Sequence, residues 1–90
     1  MNHQAISFIQ NSSCCICGAS PCEVAFILSV YQGGPYQFYN MIPLCINHHE
    51  THAMKGSIYM ARNYSSFDYA IKKKGWTYSN ILEHPRFITN

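Results

Sequence analysis

Two short-spaced pairs of soft metal ligands constrain this chain more than any other feature. Cys14-Cys15-Ile16-Cys17 supplies a Cys-x2-Cys pair, and Cys45-Ile46-Asn47-His48 supplies a Cys-x2-His pair after an intervening β-rich segment. Zinc takes four such ligands in a near-tetrahedral array, and each pair can bite from a single turn of backbone. A chain of 90 residues buries a modest share of its surface, so a staple is expected. A structural zinc contributes on the order of 10 kcal/mol of folding free energy, which is enough. The expected ligands are Cys14, Cys17, Cys45 and His48. His49 offers a Cys-x3-His alternative, and Cys15 or Cys22 could substitute in a looser site. Buried free thiols explain one or two cysteines, but not their pairing with a histidine run. Core packing is the expected role of Cys15 and Cys22.

The five cysteines are an odd count, which argues against a fully paired disulfide framework. No basic run or long apolar region follows Met1-Asn2-His3-Gln4, so no leader peptide is expected. The longest apolar run, 24–30, is too short to span a bilayer. A soluble cytoplasmic protein with no membrane partner is the expectation. The formal net charge of +2 permits a nucleic-acid partner without arguing for one.

Residues 1–13 read as a lead-in, with a short helix or strand from Ala5 to Ile9. Gly18 follows the second cysteine, where a tight turn needs freedom in φ. Glu23 to Tyr31 is β-branched and aromatic between Pro21 and Gly33-Gly34-Pro35, and predicts a buried strand. A returning strand is expected from Tyr36–Tyr39 or Met41-Ile42, with Pro43 ending any ladder. Helical spacing begins at Asn47, breaks at Gly56 and resumes over 57–64. Ser65 with Asp68 predicts a capped helix running to Lys74, with Gly75 as its C-terminal stop. Trp76-Thr77-Tyr78 predicts a strand or extended docking segment, and 79–90 a tail. The sum is a small α+β fold. A knuckle, a hairpin and a helix starting at the second ligand pair make a zinc-stabilised treble clef, with a C-terminal helical extension.

With these residues in place, the chain resembles the HNH nuclease superfamily, in particular its small phage- and prophage-type members. Cys14-x2-Cys17-Gly18, Pro21, a strand, a Gly-rich loop, Asn40-Met41-Ile42-Pro43-Leu44-Cys45 and His48-His49 with His52 carry the resemblance, which covers residues 14–78. It implies a ββα-metal-like fold and a metal-dependent DNA endonuclease. Asn40 matches the asparagine that orients the general base, and His49 or His52 match the helix ligands of a second divalent metal (Mg²⁺, Mn²⁺, Ni²⁺ or Zn²⁺). Phosphodiester hydrolysis needs a base titrating near neutrality and a cation to stabilise charge on the phosphate.

The strand positions that should carry the base and a metal ligand fall on Ala25 and Phe26, neither of which can accept a proton. Glu23, on the same strand, is the nearest carboxylate able to bind a metal. Lys72-Lys73-Lys74 beside Trp76 and Tyr78 sets cations next to stacking surfaces, although a solvated helix end accounts for the same run. Two expectations therefore stand side by side. One is an HNH-type endonuclease acting on DNA with an altered base position. The other is a non-catalytic treble clef that binds nucleic acid or a protein partner.

Overall fold

The apolar run after Pro21 does not make one long strand. In a computed structural model, which describes residues 3–82, β1 spans only Glu23–Phe26. The chain then bends at Ile27 and Leu28 and enters a 3-10 turn at Val30–Gln32. The strand predicted to reach Tyr31 stops early because the Leu28 peptide is bonded by the Asn40 side chain instead of a neighbouring strand. Gly34 folds back so closely that a Cβ there would collide with the Leu28 carbonyl, so the loop requires glycine at this point.

The returning strand β2 is Met41–Leu44, antiparallel to β1 with Ala25 opposite Ile42 and Phe26 opposite Met41. Pro43 does not end the ladder; it sits inside β2 opposite Val24. Each strand of a two-stranded sheet is an edge, so a proline facing outward loses no ladder bond. Its carbonyl is used on that outer side, accepting from the Cys15 N–H at 3.1 Å.

Helix α1 (His3–Gln10) occupies the lead-in, buries Ile9 and packs on both strands. Helix α2 (Ile46–Asn63) breaks at Gly56, whose backbone is non-helical, and resumes beyond it as the sequence predicts. With φ near +88°, that residue takes a conformation costly for any side chain. The histidines stand before the kink, and the buried Ser57, Met60 and Ala61 after it. Helix α3 (Ser65–Lys73) buries Phe67 and Ile71. The predicted Ser65–Asp68 cap does not form: Tyr64 holds the N-cap position without a side-chain bond, and Asp68 reaches Lys72 at 3.1 Å. At the other end Gly75 N–H donates to Lys72 O and Trp76 N–H to Ile71 O, the paired bonds of a Schellman stop.

Thr77 is neither strand nor docking segment. Its hydroxyl accepts from the Asn80 N–H, and the Asn80 side chain accepts from the Thr77 N–H, opening α4 (Tyr78–Leu82) inside the stretch expected to be a tail. Residues 83–90, including His84, lie outside the described residues. Phe67, Leu28, Met41, Ile42, Leu44, Met60 and Ile71 are the most deeply buried apolar side chains, each contributing about 2–3 kcal/mol of transfer free energy. The fold is a small α+β one with a two-stranded antiparallel sheet. It carries a cluster of three cysteines and one histidine.

Candidate metal centre

The first ligand pair is shaped by the backbone of its own turn. Cys14 N–H donates to Ala19 O and Gly18 N–H to Cys14 O, both at 2.8 Å. The Cys15–Pro43 bond ties this knuckle to β2, and β2 delivers Cys45 to the start of α2. Cys45 is extended, and its carbonyl accepts the first helical bond, from His49 N–H at 2.7 Å. His48 thus stands in the first turn of the helix, facing the knuckle.

Cys17 Sγ lies 3.7 Å from Cys45 Sγ; His48 Nδ1 lies 3.4 Å from Cys45 Sγ and 3.7 Å from Cys14 Sγ. The four ligand atoms all fall within 4.8 Å of one another. Zinc–sulfur and zinc–nitrogen bonds of ordinary length give tetrahedral edges of about 3.8 Å (S–S) and about 3.6 Å (S–N). The observed separations match those edges, so Cys14, Cys17, Cys45 and His48 could hold a metal ion such as zinc. The His48 ring is backed edge-on by Tyr64 at 5.3 Å.

Electrostatics favour a ligand role for Cys14. Burial pushes its thiol up, but the N–H groups of Cys17, Cys45 and Ile16 and the His48 ring outweigh that and bring it down to about 6. One of these is the Ile16 N–H, 3.4 Å from Sγ. The thiolate is the metal-binding form. Cys17 is raised: the Ala19 N–H pulls it down, but desolvation and the neighbouring sulfurs of Cys45 and Cys14 prevail. Sulfurs this close resist charging together, a cost that a divalent cation removes. Cys15 is pushed up to about 12, first by burial and then by Cys14. Cys22 is also raised by burial, and its thiol donates to Ala19 O. Both pack in or against the core, outside the four-ligand set.

The other two histidines turn away from this cluster. His49 Nδ1 lies 3.1 Å from Glu23 Oε1, pinning α2 to β1. His52 Nε2 lies 2.8 Å from Ser57 Oγ, while the Ser57 hydroxyl donates to Ile27 O. A serine has one proton to give, so Nε2 of His52 carries a hydrogen and Nδ1 is the bare nitrogen. Burial, and secondarily His49, push His52 down to about 4. Both histidines border a cleft of about 550 Å³ between β1 and the Gly56 kink. The two strand positions beside it are apolar: Ala25 is buried, and Phe26 packs on the Tyr36 ring at 5.2 Å. Among the described residues, no second group of three or more ligating side chains gathers around a point.

Asn40 does not line the cleft. It is fully buried, its Oδ1 accepting from Leu28 N–H at 2.8 Å and its Nδ2 donating to Leu28 O at 2.8 Å and Pro35 O at 2.9 Å.

The cations show an arrangement that the sequence only half reveals. Each described lysine and arginine has its head group near an aromatic ring: Lys55 at Tyr59, Arg62 and Lys72 at Tyr78, Lys73 at Tyr69, and Lys74 at Phe38. The distances run from 3.8 Å for Lys74 to 6.0 Å for Arg62. Lys55–Tyr59 and Tyr69–Lys73 are four apart on their helices, a spacing that could have flagged them. Trp76, expected as a stacking surface, is buried instead: its Nε1–H donates to Tyr39 O and its ring lies along Tyr39.

No family model, curated protein or solved structure matches the chain.

Proposed function

We propose that this chain is a zinc-stapled treble clef of the HNH-nuclease type that binds DNA without cutting it. The observation that carries the binding half is the set of ring-backed cations. Five head groups held over aromatic faces offer phosphate contacts and stacking surfaces together, the combination that nucleic-acid backbones select. Ala25 and Phe26 support the non-hydrolytic half, because at these cleft-lining strand positions neither side chain can accept a proton. A missing base typically lowers rate by about 10²–10⁴.

A hydrolytic reading rests on one observation, that His49 and His52 line a single cleft, with Glu23 as the ion-pair partner of His49. One experiment separates the two. Zinc-loaded protein is titrated into labelled DNA at several salt concentrations, and incubated with supercoiled plasmid and Mg²⁺, Mn²⁺ or Ni²⁺. Binding that weakens steeply with salt, without nicking, supports the proposal. Nicking that disappears in His52→Ala replaces it with the nuclease. Absence of both turns the search toward a protein partner.

A further inference from the structure

A second recess lies along α3 and shares no lining residue with the histidine cleft. Ser66, Tyr69, Ala70 and Lys73 form one stripe of that helix, at spacings that align side chains on a single face, and they line this recess. Opposite them stand Phe38 and the Ile42-Pro43 stretch of β2, enclosing about 500 Å³. Ile42, Pro43 and Ala70 make an apolar floor. Tyr69 is 66% exposed and Phe38 43%, so both rings stand up as walls. Lys73 and Lys74 supply the charge, and among the described residues no carboxylate borders the site.

We propose that this recess seats one unpaired base of a single-stranded DNA segment, stacked on Tyr69, with the adjoining phosphates on Lys73 and Lys74. The inference rests on the DNA-binding reading above and names the form of DNA that is preferred. A flat apolar ligand suits the floor and the ring walls, and an anionic one suits the rim; a nucleotide is both. Lys74 Nζ donates to Phe38 O at 3.4 Å and lies over the Phe38 ring, which leaves donors of its ammonium for a phosphate. It sits 3.8 Å from the Phe38 centroid, whereas Lys73 stands 5.8 Å from that of Tyr69, so Tyr69 is the more open platform. A duplex keeps its bases in the helical stack and presents phosphates to a convex partner, so it can use the lysines but not the floor.

The test is fluorescence anisotropy with zinc-loaded protein, comparing a labelled oligothymidylate with a labelled hairpin duplex. The expected result is single-strand binding at least about tenfold tighter than duplex, with Tyr69→Ala losing about 5- to 100-fold on the single strand only. Tyr69→Phe keeps the ring and should keep the affinity. Lys73→Gln should flatten the salt dependence of single-strand binding by one phosphate contact's worth, about 0.7 in slope. The exposure of Tyr69 leaves the core intact in these variants, and their zinc content verifies the fold. Equal or tighter duplex binding, or a Tyr69→Ala variant within twofold on the single strand, overturns the recess and leaves DNA binding standing. No binding to either form overturns both.

Discussion

Asn40 grips the peptide of Leu28 from both sides, accepting from its N–H and donating to its carbonyl, each at 2.8 Å. One side chain thereby replaces a strand neighbour, and its third bond, to Pro35 O, closes the loop between β1 and β2. The Leu28 N–H and carbonyl are shut away from water, so their alternative to Asn40 is no partner at all.

Asn40→Ala should therefore destabilise the zinc-loaded protein by about 3 kcal/mol. Asn40→Asp should do at least as much harm, since it sets an oxygen against the carbonyls of Leu28 and Pro35. Urea midpoints measured with zinc in excess check both. A loss below about 1 kcal/mol for either variant would show that the loop closes without this side chain.

The four-ligand cluster makes a stoichiometric prediction. Metal analysis of protein prepared under reducing conditions should return about one equivalent of zinc, and a strong chelator should abolish the folded circular dichroism spectrum. Cys17→Ser and Cys45→Ser should each lose the metal. A chelated chain with an unchanged spectrum would remove the metal from the account of stability.

His48 and His49 are neighbours with different assignments. His48→Ala should weaken zinc binding severely, because Nδ1 of His48 lies among the sulfurs. His49→Ala should leave zinc binding nearly unchanged, because its ring meets Glu23. Competition with a zinc-responsive chelating dye distinguishes them, and equal losses from the two variants would contradict the geometry.

His52 makes stability depend on pH in a definite direction. Its pKa falls from 6.5 to about 4 in the fold, so the unfolded chain binds the proton more tightly. The stabilisation is complete above pH 6.5 and is lost as pH falls toward 4, at a cost of about 2 kcal/mol between pH 7 and pH 5. Loss of the metal adds its own acid sensitivity, so the quantity to measure is the difference in slope between the parent and His52→Gln. Parallel slopes would mean that His52 titrates normally.

Much of the candidate centre was legible because metal ligation is a local demand. Cys14 with Cys17, and Cys45 with His48, are each spaced so that one turn of backbone suffices, and a turn is visible in sequence. The boundary of β1 was not legible. Val24 to Val30 is a strong strand pattern, and only the buried amide of Asn40, arriving from a distant position, ends it at Phe26. Pro43 misled for a similar reason: whether a proline breaks a ladder depends on which way its missing N–H would have pointed. Trp76 and Tyr78 sit in one short segment with the same apparent role. Packing buried the first against Tyr39 and left the second between Arg62 and Lys72.

Residue type and spacing along the chain sufficed to pick the sulfurs and the imidazole that converge, because chelation is decided within a few bonds. Three-dimensional packing alone decided that His49 would turn to Glu23, that the Ser57 holding His52 would itself bond Ile27, and that Arg62 and Lys74 would meet Tyr78 and Phe38. Those pairings join segments far apart in sequence or depend on which helix face is left uncovered, and both are properties of the assembled fold.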